Sequence, residues 1–240
     1  MAESTLSVSW TDLESYVAVF AGWNRTSSSW ETDQTADFVL IVKKGLRKFY
    51  YPPGVPPEAM PYEWDFLRPT ATHTIADGVW QEDLPEDFGG LVLPGSVVYS
   101  TDTSGTDHRR LRKISPETLL ALRMQGAATG VSYYWAQRQK AYTPTTGQRY
   151  EMLFYPTPTA TEASDVITYR YVTVPDTIDA TNAYPVGGGQ HSQTIIEAVL
   201  SAAEEYLDDE LNGLHNQRFQ TLLASSIRID QETKREKETI

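Results

Sequence analysis

The spacing of the apolar residues changes twice along this chain, and that change constrains the fold more than any other feature. Before about residue 61 and after about residue 187, apolar side chains recur at helical spacing. Between these stretches, short runs rich in Val, Thr, Tyr and Trp alternate with Gly, Pro and Asp, which is typical of strands and turns. Because strands and helices do not alternate regularly, the sequence predicts an α+β fold with an antiparallel sheet.

The first stretch predicts two helices. One should span residues 10–21, with Ser9 or Thr11 as its cap. The other should run from about Asp33 to Tyr50, where a group of prolines follows and ends it. The apolar face expected on this second helix consists of Val39, Val42, Leu46 and Phe49.

The middle of the chain should hold the strands. The clearest candidates are residues 130–137, 149–155 and 166–174, each bounded by turn-forming residues. Ser115 followed by Pro116 is typical of a helix N-terminus and predicts one short helix over residues 119–124.

The last stretch predicts helix from about Gln190, with a possible break at Asn212-Gly213. Its apolar stripe consists of Ile195, Ile196, Val199, Leu200, Ala203, Tyr206 and Leu207, and the pattern resumes at Phe219, Leu222, Leu223 and Ile227. Residues 231–240 are mostly charged, so we expect an extended tail that becomes helical only when something else orders it. The predicted parts are residues 1–61 with 187–230, residues 62–186, and this tail.

The chain is acidic, with 32 Asp and Glu against 20 Lys and Arg. A net charge of −12 argues against a protein that grips nucleic acid, although a protein can surround DNA without holding it. There is no cysteine, which excludes disulfides and thiolate metal sites and fits assembly in a reducing cytoplasm. No signal peptide or membrane span is recognisable, so a soluble protein without membrane contacts is expected.

No catalytic, metal-binding or cofactor-binding motif is recognisable. The histidines at positions 73, 108, 191 and 215 lack metal-ligand spacing, and Gly187–Gly189 lacks the Lys-Ser or Lys-Thr of a phosphate loop. The acidic pairs at 82–83 and 86–87 flank Pro85 in a turn-like stretch, so they are interpreted as loop acids and not as a glycosidase pair. The sequence therefore predicts neither an enzyme nor a cofactor.

Two clusters of charge remain. Arg109, Arg110, Arg112 and Lys113 form the compact basic cluster, which either contacts DNA or an acidic neighbour, or protects a solvated strand edge. An acidic cluster lies late in the predicted C-terminal helix, on a solvent face or along a channel. Its members are Glu204, Glu205, Asp208, Asp209 and Glu210.

Six segments carry a resemblance to a known family by their order and spacing. They are YEWDFLRP (62–69), LPEDFGGL (84–91), GQRYEMLFYPTP (147–158), ITYRYV (167–172), EAVLSAAE (197–204) and FQTLLASSIRID (219–230). Together they resemble the head-to-tail adaptor (neck, or connector) proteins of tailed phages. The resemblance implies a helical bundle formed by the N- and C-terminal helices, with an inserted β-rich, sandwich-like region.

It also implies a structural subunit of the virion neck, assembled in the host cytoplasm into a ring of twelve copies below the portal protein. Genomic DNA would pass through the ring without tight binding, and the β-rich part would face tail nozzle or fibre proteins. The segment from Ser225 to Ile240 would clamp the portal, so that deleting it should leave the core folded but abolish attachment. The candidate portal contacts are Phe219, Leu222, Leu223, Ile227, Arg228 and Ile229. Candidates for the channel or for contacts between subunits are Glu204, Glu205, Asp208, Asp209, Arg109, Arg110 and Arg112.

Two alternatives stay open at this point. The first is another virion protein, such as a tail-completion or tail-terminator subunit, which would bind the end of the tail tube. The second is a carbohydrate-binding or depolymerising β protein, which needs exposed aromatic side chains on one face with carboxylates nearby. The aromatic candidates for that face are Trp80, Tyr133, Trp135 and Tyr155.

Overall fold

The computed structural model describes residues 3–52, 62–92, 99–101 and 108–238. The chain divides into two compact units. A helical unit combines residues 1–67 with residues 175–240, and a β unit comprises residues 68–174. The α+β class predicted from the sequence is confirmed.

Both ends of the chain supply helices to the helical unit, and one further helix belongs to the β unit. The helices are α1 (Trp10–Ala21), α2 (Thr32–Tyr50), α3 (Pro116–Gln125), α4 (Ser192–Leu207) and α5 (Leu214–Glu238). Ser9 caps α1 through a reciprocal pair of hydrogen bonds with Asp12, and Gly22 ends it at a φ of 69°. None of the helices among the described residues is both long and apolar enough to cross a membrane.

Helix α4 is the central element of the helical unit, since α1, α2 and α5 all pack against it. The closest approach is at Gly45 of α2, where a Cβ atom would lie only 2.5 Å from the Cα atom of Val199. The buried face of α2 includes Gly45 as well as Phe38 and Ile41. Of the four residues that the sequence placed on that face, Val42, Leu46 and Phe49 are buried, as predicted, and Val39 is only half-buried. Apolar spacing did not reveal the contact at Gly45, because glycine carries no apolar side chain.

The β unit contains two sheets. Its strands are β1 (Thr70–Thr74), β2 (Gln81–Asp83), β3 (Phe88–Leu91), β4 (Tyr99–Thr101), β5 (His108–Arg110), β6 (Arg112–Lys113), β7 (Tyr134–Gln139), β8 (Tyr150–Tyr155) and β9 (Val166–Thr173). One sheet has the order β1-β9-β4-β5, with β3 also pairing with β9, and the other has the order β2-β8-β7-β6. Pairing is antiparallel as predicted, except that β6 and β7 are parallel.

A shared core joins the two sheets. Ile167 and Tyr169 of β9 belong to the same buried cluster as Trp135 of β7 and Phe154 of β8. A smaller cluster packs α3 on the second sheet through Leu119. The β unit is thus held together by apolar contacts between sheets as well as by the strand ladders.

Three segments differ from the sequence-based division. Residues 175–186, which the sequence placed in the β-rich region, belong to the helical unit. Residues 62–67 pack into the helical unit instead of opening the β-rich region, because the buried Trp64 ring contacts Phe49 and its indole N–H donates to the Phe49 carbonyl at 3.0 Å. Residues 231–238 continue α5 instead of forming an extended tail. The contacts that order this last part are made by Asp230 and Lys234, as described below.

Candidate interaction surfaces

The apolar stripe of α5 faces the chain's own core. Phe219 and Leu223 are 3% and 7% exposed, and Ile227 packs against the same cluster. The hydroxyls of Ser226 and Thr194 lie 2.7 Å apart, which joins α5 to α4. Of the six predicted portal contacts, these three apolar residues hold α5 in place, so they do not form the free face that the sequence suggested.

The other three predicted portal contacts lie outside that core. Leu222 and Ile229 are half-buried, and Arg228 is exposed, where its guanidinium Nε donates to Glu232 at 3.1 Å. This side of α5 is therefore the part of the predicted contact that solvent can reach.

The end of α5 is anchored by the buried carboxylate of Asp230. It accepts hydrogen bonds from the Tyr62 hydroxyl at 2.6 Å and from the Asp65 backbone N–H at 3.1 Å, and it pairs with Lys234 at 3.0 Å. The Lys234 ammonium also donates to the Glu63 carbonyl at 2.6 Å and lies over the Tyr62 ring. Sequence reasoning missed this anchor, although the i,i+4 spacing of Asp230 and Lys234 was visible.

Glu204 is buried at the junction of α4 and α5. Its carboxylate accepts the backbone N–H groups of His215 at 3.1 Å and Asn216 at 3.2 Å, so it satisfies the first turn of α5. Gly213 makes room for it, because a Cβ atom there would lie 2.5 Å from both carboxylate oxygens. The sequence had assigned Glu204 to a channel or to a contact between subunits, but its carboxylate is used within the chain.

Glu197 provides a second buried carboxylate at this junction, and its partner is His215. The Nδ1 atom of His215 and the Oε2 atom of Glu197 are 2.7 Å apart, and the ring of Phe20 meets the imidazole edge to face. These contacts add a polar link between α4 and the start of α5.

Glu205 has a different set of partners. It pairs with Lys44 at 2.6 Å and with Lys48 of the same helix, α2. Burial opposes ionisation of this carboxyl, but the hydrogen bonds from Lys44 and Lys48 outweigh it and lower its pKa. Glu205 is therefore a link between α4 and α2.

The remaining acidic residues of the cluster form an exposed corner. Asp208, Asp209 and Glu210 are all exposed in the turn that joins α4 to α5. Asp209 has a φ of 54°, a left-handed conformation that this residue type tolerates better than most. Within the described ranges, no ion pair reaches these three carboxylates, so their negative charge is presented to solvent.

The basic cluster lies on the outer edges of the two sheets. Arg109 and Arg110 belong to β5 and Arg112 to β6, and each of these strands is the last of its sheet. Leu111 between them is buried in the core that the sheets share. Arg110 and Arg112 are exposed and Arg109 is half-buried. Cations on such edges hinder pairing with strands of other chains, as one of the two sequence interpretations held.

The geometry gives little support to a carbohydrate site. Trp135 is buried in the core, and Trp80 lies under the guanidinium of Arg123, 3.9 Å from its ring centroid. Tyr133 is exposed, but the four aromatic candidates do not share one free face. In the part of the chain that the structure describes, no three His, Asp or Glu side chains are grouped as metal ligands would be.

Charge is divided unequally between the units. The helical unit carries 21 Asp and Glu against 10 Lys and Arg, whereas the β unit carries 11 against 10. Almost all of the net negative charge of the protein therefore belongs to the helical unit.

Comparison with known proteins agrees with a structural role. The sequence model of the family described as SU10 adaptor protein matches residues 23–238, which include α2 to α5 and both sheets. No curated protein sequence matches the chain significantly. A phage adaptor is a structural component of the virion that contacts other virion proteins, and this indicates a protein that is not an enzyme. A match over most of its length shows that the chain belongs to the SU10 adaptor protein family.

Proposed function

We propose that this adaptor forms a ring below the portal of a tailed phage, joins the portal to the tail, and continues the channel through which DNA is ejected. The observation that carries the proposal is the family match over residues 23–238. The ring would contain twelve copies in the virion neck, assembled in the host cytoplasm, with the β unit directed to tail nozzle or fibre proteins. No cofactor takes part.

The unequal division of charge supports the channel. DNA must slide through such a ring, so the wall of the channel should not neutralise phosphates. The helical unit meets this need because it holds 21 acidic and 10 basic residues. A wall built from this unit would repel the duplex and leave it mobile.

We assign the two units different tasks within the ring. Helix α4 and the three helices packed against it would act as the bundle that builds the ring, and the two sheets with their shared core would act as a sandwich-like module for the tail. Arg109, Arg110 and Arg112 would then serve chiefly to keep the sheet edges from pairing with neighbours.

Portal contact is proposed for the outer side of α5. Leu222, Arg228 and Ile229 can reach a partner without loss of the core, whereas Phe219 and Leu223 cannot. The clamp would therefore be a helix that is docked in advance on α4, which lowers the ordering cost of binding. This replaces the idea of a tail that becomes ordered only on the portal.

Sedimentation with purified portal particles tests the proposal. The protein should co-sediment with portals at about one copy per portal subunit. Arg228→Glu should reduce portal occupancy, because it reverses an exposed charge on the proposed face. Arg25→Glu, the same change at an exposed site in the loop after α1, is the matched control.

Binding to the ends of tail tubes, with none to portals, would instead identify a tail-completion or tail-terminator protein. Portal binding that Arg228→Glu and Arg25→Glu leave equally intact would keep the adaptor function but remove α5 as the contact.

A further inference from the structure

The side of α2 that faces away from α4 carries an apolar and basic stripe, called here the α2 stripe. It consists of Ala36, Val39, Leu40, Lys43 and Arg47. Leu40 is 50% exposed, and a shallow groove beside it is lined by Trp30, Thr35 and Val39. Lys43 and Arg47 are exposed one and two turns further along.

These two cations differ from their neighbours on the same helix. Lys44 and Lys48 point towards α4 and pair with Glu205. Lys43 and Arg47 have no carboxylate partner among the residues that the structure describes. The stripe thus combines exposed apolar area with positive charge that none of the described carboxylates neutralises.

The turn between α4 and α5 has the opposite charge and a similar apolar content. This acidic corner, residues 207–214, exposes Asp208, Asp209 and Glu210. Two leucines in it are largely exposed, Leu211 at 67% and Leu214 at 56%. Isolated exposed leucines are ordinary, but these two lie together beside three carboxylates that no described ion pair reaches, so the corner combines apolar area with negative charge.

We propose that the acidic corner of one copy docks on the α2 stripe of the next copy, with Leu211 against Leu40 and the carboxylates beside Lys43 and Arg47. This deepens the proposed function, because it rests on ring formation and names the surfaces that would form the ring. The two surfaces are different, so the contact is heterologous and repeats from copy to copy, as closure into a ring requires.

Other occupants fit the two surfaces less well. DNA is a poor partner for the α2 stripe, because two cations beside the exposed Leu40 and the half-buried Val39 provide few phosphate contacts. The cations of β5 and β6 are a poor partner for the corner, because the leucine between them, Leu111, is buried and leaves no apolar surface for Leu211. The α2 stripe offers both complementary features, an exposed leucine and two cations without a carboxylate partner among the described residues.

Disulfide cross-linking tests the contact directly, because the chain has no native cysteine. A variant with both Leu40→Cys and Leu211→Cys, oxidised mildly on portal particles, should give a ladder of covalent oligomers. A mixture of the two single variants should stop at dimers, and each single variant alone should stay monomeric. Leu40→Cys combined with Met124→Cys, which is 90% exposed in the β unit, is the mismatched control.

A charge exchange provides the second test. One variant, Lys43→Glu with Arg47→Glu, reverses the charge of the α2 stripe and should weaken the association between copies about tenfold or more. A second variant, Asp208→Lys with Glu210→Lys, reverses the charge of the acidic corner and should have the same effect. An equal mixture of these two variants should restore the association, because the acidic stripe of one variant then meets the basic corner of the other. Thermal unfolding should be unchanged for both, because all four side chains are exposed.

The outcomes separate this inference from the function on which it rests. If wild-type protein occupies portals in multiple copies but the double-cysteine variant gives no ladder, the proposed contact between corner and stripe is wrong, whereas the proposed ring is not contradicted. If Leu211→Cys alone gives dimers, the corner pairs with itself and the heterologous contact is wrong. If wild-type protein does not gather on portals at all, the proposed function fails first.

Discussion

Replacing Gly45 by alanine should destabilise the helical unit, although the same change usually stabilises a helix. Alanine is favoured over glycine inside helices by about 1 kcal/mol. At this position, however, the new Cβ would lie 2.5 Å from the Cα atom and 2.9 Å from the backbone nitrogen of Val199. Carbon atoms pack at about 3.5–4.0 Å, so α2 and α4 would have to separate by about 1 Å.

The cost follows from what blocks the new methyl group. Overpacking a core costs about 1–3 kcal/mol, and the upper value applies when the obstacle is backbone that cannot rotate away. Subtracting the helix preference leaves a net loss of about 2 kcal/mol, which corresponds to a fall in Tm of about 4–8 °C for a chain of this size. Helical circular dichroism during thermal and urea unfolding would measure it.

Two further variants make the test specific. Ala36→Gly, at an exposed site of α2, should cost only the intrinsic preference of about 1 kcal/mol. Adding Val199→Ala to Gly45→Ala should not restore stability, because the Val199 backbone remains in place. A Gly45→Ala protein more stable than wild type would refute the close approach of the two helices.

Four other perturbations have definite expected outcomes. Deleting residues 226–240 should lower the Tm by about 4 °C or more, because it removes the buried Ser226 and Asp230 partners of the helical unit; an unchanged thermal curve would restore the idea of an independent tail. Gly213→Ala should destabilise the α4–α5 junction in the same assay, since its Cβ would meet the Glu204 carboxylate, whereas Gly126→Ala, where nothing lies within 4 Å, is the control. The pKa of Glu205 is lower in the folded state, so its carboxylate stabilises the fold above the ordinary pKa of 4.5, and this stabilisation disappears as the pH falls through the folded-state pKa. Over that acid range, Glu205→Gln should therefore lose less free energy of unfolding than the wild type does. Parallel acid-unfolding curves for the two proteins would contradict this. Binding to duplex DNA should be negligible at physiological salt, and a submicromolar Kd with a steep salt dependence would overturn the repulsive channel.

Local signals predicted the individual elements well. The bounds of α1 follow from the cap at Ser9 and the left-handed Gly22, and both are visible as residue types at the ends of an apolar pattern. The apolar face of α2 was mostly predicted, since Val42, Leu46 and Phe49 are buried, but the close contact at Gly45 was not, because glycine adds nothing to an apolar pattern. Only knowledge of the neighbouring helix reveals why that position must lack a side chain.

Contacts between distant parts of the chain were the main source of error in the candidate site. Asp230 accepts a hydrogen bond from the Tyr62 hydroxyl, and no local pattern links residues so far apart in sequence. Without that contact, the charged end of α5 looked unsupported and its stripe looked free to bind a partner. Similarly, Glu204 looked like one of five equivalent acids, since only the turn at Gly213 brings its carboxylate under the first turn of α5.

The insertion of the β unit between α2 and α4 also bears on when the proposed contact between copies could form. During synthesis, α1 and α2 emerge first but lack the helix against which both pack, whereas residues 68–174 can form their own core before α4 is made. The acidic corner and the α2 stripe would then acquire their final form together, only after α5 has been translated. In the proposed ring, an incomplete chain released early would lack a finished helical unit, so we expect that it would not enter the ring and terminate it.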